Sequence, residues 1–397
     1  MNSSNSQIKQ QALPAAVIYG GLSLLRPFRK TNISCHALTH SKSDLICYSR
    51  KIHSFKALPP LKSDSDALIQ ALIDTSSQFK VKPVLYYGND QTMRFISKHR
   101  EILSDHYHFL MPPAKLISSC SEKNSFNELI KGTDITYPKS IIINSRLTER
   151  DLDDFTPPFV IKPNKTSNQS VIAQITANKT QKAIVVETKN EAIHVASLLE
   201  NENVPFILQE IIQGTEDNIF SYHAFNDERF QPIGYYVGRK VRTYPHFGGR
   251  STCVTLVDDD EVVKTGQYIS QKLKFCGPLK LDFKRDSRSG KLYFLEANLR
   301  FTLWNHLAAE CGINLPLRAY QYLSGLPVDQ GNEYRTGRQW IAANDDVRSY
   351  LDINNSPTAI LQYGVQRLHS YSHVFSIQDP VPYLISLKRR LKSLGKR

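Results

Sequence analysis

The sequence has little to offer zinc or disulfide chemistry. Its six cysteines, at 35, 47, 120, 253, 276 and 311, are scattered without a Cys-x-x-Cys, and its twelve histidines include no His-Glu-x-x-His, so zinc sites and disulfide frameworks are disfavoured. No apolar run reaches the ~18 residues of a membrane span. The polar start, Met1 to Gln11, leads into Ala15 to Gly21 without the basic flank and uninterrupted apolar core of a signal peptide. The expectation is therefore a cytoplasmic enzyme or binding protein. Gly20-Gly21 follows an apolar run, but there is no Gly-x-Gly-x-x-Gly, which argues against a Rossmann cofactor site. No RNP-type strand motif accompanies the basic and aromatic stretches, which argues against RNA.

What is present is ordinary globular material. The 397 residues, 41% hydrophobic and 22% charged, suffice for two or three domains. The formal charge of +13 is compatible with nucleic acid, a membrane surface or small anions. It is most concentrated in Lys388 to Arg397, where Leu384, Leu387, Leu391 and Leu394 recur at helical spacing. That pattern predicts a terminal helix docked by its leucines with a solvated basic face, and leaves weak contact with anionic lipid as the alternative.

Along the chain, apolar runs at 15–19, 34–38 and 83–88 alternate with helical patterns at 67–79 and, after the cap Asn89-Asp90-Gln91, toward Leu103. This predicts an open α/β domain up to about residue 112, closed by Pro112-Pro113. A helix is expected over 116–131. His106 and His108 read as surface or core residues, and Asp151 to Asp154 as a solvated acidic turn. Phe159-Val160-Ile161-Lys162-Pro163 reads as a strand ending in a lysine placed to meet a phosphate, followed by a polar loop and a second strand through Ile175. A strand from Lys182, a helix over 190–200 and an apolar strand over 205–212 come next. That strand ends at Gln213-Gly214-Thr215-Glu216-Asp217 and offers an apolar slot beside acceptor carboxylates. Strands are expected at 219–225 and 233–238. Gly238 to Ser251, with four cations, glycines and aromatics, suggests a mobile loop closing on small anions.

The most chemically loaded stretch is Pro278-Leu279-Lys280-Leu281-Asp282-Phe283, a charged turn through Gly290, and Lys291 to Arg300. It reads as a β-hairpin. Pairing Asp282 opposite Glu296 places Glu296 and Asn298 on one face with Asp282 beside them. A carboxylate next to Phe294 and Leu292 is costly to desolvate, so three converging oxygen ligands make sense around a hard divalent cation. A surface hairpin whose Glu296 faces water is the alternative.

Taken in order, Lys162 in Phe-Val-Ile-Lys-Pro, Leu208 to Glu216, Leu281-Asp282 and Leu295-Glu296-Ala297-Asn298-Leu299-Arg300 resemble the ATP-grasp superfamily. Gly20-Gly21, Tyr87-Gly88-Asn89-Asp90, Lys98-His99-Arg100-Glu101, Gly238 to Arg242 with Tyr244-Pro245, and His306-Leu307-Ala308 with Gly312 to Pro316 resemble its carboxylate-amine ligases of the D-aspartate ligase group. The resemblance runs from about 15 to 330. It implies an N-terminal open α/β (pre-ATP-grasp) domain at 1–112, then a two-subdomain ATP-grasp fold at 113–330, divided near 210, and a C-terminal extension at 331–397. It further implies ATP and one or two Mg²⁺, or Mn²⁺, as cofactors. Lys123, Lys162 and Lys182 would meet the phosphates, Gln209, Glu210, Ile211 and Ile212 the adenine, and Glu216 or Asp217 the ribose. Asp282, Glu296 and Asn298 would hold metal, while Arg300, Arg239, Lys240 and Arg242 would neutralise the γ-phosphate and the substrate carboxylate. The implied reaction forms an acyl phosphate that an amine attacks, joining two small molecules without nucleic acid. Two departures stand out: the loop after Lys162 lacks glycine, and Gln209 occupies a position where many such enzymes carry an acid. A non-catalytic nucleotide or anion sensor is the competing reading, and a basic nucleic-acid-binding protein ranks behind it.

Overall fold

The computed structural model describes residues 12–394 apart from 62–64, 122, 145, 165–168, 177–182, 247–248, 355 and 369. Strands β1 (Ala16–Tyr19), β2 (Cys35–Thr39), β3 (Ile52–Ala57) and β4 (Val84–Tyr87) form a parallel sheet in the order β3-β2-β1-β4. Every residue of β1 and β4 is buried, as expected of strands covered on both faces. The expected cap is present: the Asn89 side chain accepts from the Thr92 amide at 2.8 Å and opens the helix Asp90–Lys98.

The second sheet is antiparallel, with β5 (Ser140–Ile143), β6 (Phe159–Pro163), β7 (Ile184–Val186) and β8 (Phe206–Glu210) in the order β5-β8-β6-β7. The strand expected through Ile175 is instead the helix Gln169–Ile175. Val171, Ile172 and Ile175 are one turn apart on one stripe and pack on the sheet's core, and this tertiary contact overrides their β-branched propensity.

The third sheet has seven strands in the order β13-β12-β9-β10-β11-β14-β15. They are β9 (Ile219–Asn226), β10 (Pro232–Tyr244), β11 (Arg250–Val257), β12 (Gly277–Arg285), β13 (Leu292–Asn298), β14 (Gln339–Ile341) and β15 (Ser370–Ser372). The stretch read as a mobile loop is thus strand up to Tyr244 and strand again from Arg250, because the ladder with β9 and β11 satisfies its backbone. One core runs from Val17 and Tyr87 of the first sheet through Phe126 to Phe283 and Phe294 of the β12–β13 hairpin. Phe126 and Phe294 meet edge-on with ring centres 5.2 Å apart, so the hairpin is packed against the helix Lys123–Ile130.

At the C-terminus the helix Val381–Leu394 does not dock by its leucines. Leu384, Leu387 and Leu391 are 56%, 39% and 61% exposed. It is held instead by the buried Pro382, by Tyr383 with its ring centre 5.1 Å from that of Phe375, and by Arg389, whose guanidinium lies 5.5 Å from the Tyr48 ring centre. Among the described residues no helix is long and apolar enough to cross a membrane.

Candidate active site

Strand β12 supplies the backbone of the site. Leu279, Leu281 and Phe283 point into the core, so alternation turns Lys280, Asp282 and Lys284 to the other face. Asp282 is only 2% exposed. It accepts from Ser221 Oγ, across the ladder on β9, and from Lys280 Nζ at 2.7 Å. Burial works against its charge, yet Lys280, Lys240 and hydrogen bonding with Glu296 and Lys280 hold the carboxyl well below the usual range.

The expected register is present: Asp282 lies opposite Glu296. The register then shifts, with Phe283 opposite Phe294, which leaves Leu295 as an extra residue on β13. Such a bulge swaps faces. Leu292 and Phe294 enter the core, whereas Glu296 emerges exposed on the Asp282 side. This corrects the expectation that Glu296 sits beside Phe294 and Leu292; the carboxylate that is desolvated is Asp282. Asn298 Nδ2 donates to Glu296 Oε1 at 3.1 Å, and Arg300 Nη2 donates to Asn298 Oδ1 at 3.3 Å. The oxygen donors Asp282, Glu296 and Asn298 are therefore assembled in one row, a set suited to a hard cation. Among the described residues no cluster of three His, Cys, Asp or Glu groups accompanies them.

Lysines face this row from two sheets. Lys162, on β6, donates to Gln209 Oε1 on β8 at 3.0 Å, which gives the non-acidic Gln209 a use. Burial lowers the Lys162 pKa, Lys284 and Lys240 lower it further, and Glu296 opposes them. Lys240, on β10, is likewise lowered by burial and by Lys280, against Asp282, Glu296 and Glu216. Lys284 is lowered by burial and by Lys240, against Glu216 and Asp286. Three ammonium groups are thus short of solvation and repel one another, a condition that a polyanionic ligand relieves. Simple alternation on β12 places Lys280 and Lys284 on the face of Asp282, and Lys280 is its direct partner.

The remaining expected residues divide. Glu216 accepts from the Thr243 amide at 2.9 Å and from its hydroxyl, and Asp217 accepts from Thr215 Oγ1. Glu210 Oε1 accepts from the Lys139 amide at 2.6 Å, the Ile211 carbonyl accepts from Gln213 Nε2 at 3.5 Å, and Ile212 is buried. The hairpin tip grips this segment. The Gln213 amide donates to Asp286 Oδ2 at 3.3 Å, and its carbonyl accepts from the Ser287 amide at 3.1 Å. Backbone donors from Ser289, Arg288 and Gln213 lower the Asp286 pKa to about 2. Lys123 opens the helix Lys123–Ile130, and Lys182 lies outside the described residues.

Arg242 is not brought to the group. The β10–β11 pairing shifts twice between Lys240 and Thr243. Thr243 reaches Glu216, while Arg242 turns to Asp346 of the helix Ala343–Ile353, with bonds of 2.9 and 2.8 Å. Both partners are buried. Arg239, half-buried, has an Nε without a partner among the described residues. Arg300 grips Asp90 of the N-terminal region through Nε at 2.6 Å and Nη2 at 3.2 Å, tying that region to Asn298. His223, missed in the sequence, stacks on Tyr236 at 4.4 Å. Burial and Lys280 press its pKa well below the ordinary imidazole value, so it is neutral. Only the register of β9 with β12, a long-range pairing, reveals it.

Solved structures share the overall fold. The chain superimposes on L-amino acid ligase from Bacillus licheniformis with a TM-score of 0.59 at 15% identity, covering 83% of this chain and 78% of that one. For N5-carboxyaminoimidazole synthetase from Staphylococcus aureus complexed with ADP, the TM-score is 0.60 at 13% identity, over 81% and 80% of the two chains. The chain has the ATP-grasp fold. No protein-family model matches the chain. Among curated proteins it is similar to D-aspartate ligase of Enterococcus faecium (strain Aus0004), 23% identical over 277 residues. The match takes in 67% of this chain and 65% of that protein, slightly under two thirds of the relative's length.

Proposed function

We propose that the protein is an ATP-dependent carboxylate-amine ligase. The observation that carries this reading is the set of undersolvated lysines, Lys162, Lys240 and Lys284, facing Asp282, Glu296 and Asn298. Phosphoryl transfer asks a protein for positioning and charge neutralisation more than for a nucleophile, and these residues are equipped for that. The similarity to D-aspartate ligase and the ATP-grasp fold support the same class.

In this reading Lys162 and Lys240 bind the ATP phosphates, with Lys123 and Lys182 as further contacts. The Gln209 to Ile212 segment, held in place by the hairpin tip, takes the adenine, and Glu216 or Asp217 takes the ribose. Asp282, Glu296 and Asn298 are suited by their oxygen donors to Mg²⁺, which when bound would neutralise charge on the β- and γ-phosphates. Arg300 and Arg239 orient the substrate carboxylate at the boundary with the 1–112 region. The carboxylate takes the γ-phosphoryl group to give an acyl phosphate, and an amine then displaces phosphate to leave an amide, ADP and phosphate. The 113–330 region thus holds the nucleotide, while the N-terminal region chooses the substrates.

The reading is tested by incubating the protein with ATP, Mg²⁺, hydroxylamine and a carboxylate library. Hydroxamate formation with matching ADP release is the expected result; absence of both across a broad library rejects the reading.

A further inference from the structure

A second concave site lies outside the lysine–carboxylate cluster, where β11, the segment after Arg300 and the C-terminal helices meet. Its volume is about 400 Å³, within the range of small-molecule pockets. The lining combines the apolar Trp340, Leu303 and Leu387 with Arg250, Arg367 and Arg390, three exposed arginines from three separate elements. Asp345 is the only acid in the lining, and it pairs with Arg250 at 3.1 Å. Positive charge therefore exceeds negative.

Two further features point to a ligand. Trp340 is fully buried, yet its indole N–H has no acceptor among the described residues, a donor that calls for an acceptor. Leu303 is 47% exposed and Leu387 39%. These large apolar side chains line a cavity where an apolar body would cover them. The site also adjoins the proposed chemistry. Leu303 lies three residues after Arg300 and directly before Trp304, whose ring centre is 5.0 Å from Lys280 Nζ.

We propose that this cavity binds an organic anion, with its apolar body on Leu303 and Leu387 and a phosphate or carboxylate head at Arg250, Arg367 and Arg390. Its role as the site of one co-substrate rests on the ligase reading; the binding of the anion does not. The C-terminal extension is then part of the substrate-recognition surface, and the acid or amine that is joined carries an anionic group remote from the reacting atoms.

Calorimetric titration of the full chain, with Mg²⁺ and a non-hydrolysable ATP analogue filling the nucleotide site, tests the proposal. The probes are phenyl phosphate, phenylacetate and inorganic phosphate. At least one organic anion is expected to bind tighter than inorganic phosphate, and the better of the two identifies the head group. Arg367→Ala and Arg390→Ala, both at exposed positions, should each weaken it about 10-fold, with partial recovery in Arg367→Lys. No binding of either organic anion, or equal affinity in the double alanine variant, overturns the proposal. So does displacement of the probe by the ATP analogue. Hydroxamate formation separates the two readings. Anion binding without hydroxamate rejects the ligase alone, whereas an active enzyme whose double variant keeps the same KM for both co-substrates rejects the cavity's role.

Discussion

Strands β12 and β10 belong to one sheet, and each places charged residues at every second position, yet they deliver them differently. On β12 the pairing with β9 is unbroken, and Lys280, Asp282 and Lys284 share a face. On β10 two register shifts intervene, so Lys240 stays with the cluster while Arg242 pairs with Asp346. The hairpin's other strand makes the same point in reverse: the extra Leu295 rescues Glu296 from the core face and sets it beside Asp282. Composition places charge on a strand, and local irregularity decides which charge joins the cluster.

The largest effect that separates the two strands is structural. Arg242→Ala leaves Asp346 buried without its countercharge, with Thr252 Oγ1 still donating to it at 2.9 Å, and should cost about 3–5 kcal/mol in denaturant unfolding. The pair replacement Arg242→Met with Asp346→Leu should recover most of that stability and retain nucleotide binding. Loss of nucleotide binding in the stable double variant would return Arg242 to the site.

On the hairpin side the effect is on turnover. Lys162→Ala or Glu296→Gln should lower ATP-dependent turnover by ~10²–10³-fold, the scale of one lost charge-stabilising group. Unfolding midpoints should stay close to that of the unaltered protein, and a variant with normal turnover would move the phosphate or metal site elsewhere.

A smaller effect concerns the hairpin tip. Asp286 has a folded pKa of about 2, below the ordinary carboxylate value. Its contribution is therefore complete above about pH 4 and is lost as pH falls toward 2. Asp286→Asn should cost ~1 kcal/mol at neutral pH, and the gap between variant and parent should close on acidification. A gap independent of pH in thermal unfolding would mean that the backbone donors do not bind the ionised form.

Much of this was readable beforehand. Strands buried on every residue, such as Ala16–Tyr19 and Val84–Tyr87, announce the parallel sheet, and the spacing around Gly290 fixed Asp282 opposite Glu296. Four things were not readable. A one-residue bulge leaves no compositional mark, so the separation of Glu296 from Phe294 and Leu292, and the turn of Arg242 toward Asp346, were not readable. The 169–175 segment fits either period over so short a run. The leucines of the last helix show a stripe, but a stripe does not say whether a partner surface exists within the chain, and here Leu384 and Leu391 have none that buries them. Contacts such as Thr243 with Glu216 or His223 with Tyr236 depend on sheet order, which no local pattern encodes.

The central claim is that the β12–β13 hairpin holds metal-bound ATP while Arg242 serves only the fold. Titrating a non-hydrolysable ATP analogue with and without Mg²⁺ tests it most directly. The comparison needs the unaltered protein, Glu296→Gln and the Arg242→Met, Asp346→Leu pair. The account predicts Mg²⁺-enhanced binding in the first and the third, and its loss in Glu296→Gln. Mg²⁺ enhancement that survives in Glu296→Gln, or that disappears with the Arg242 pair, would contradict it.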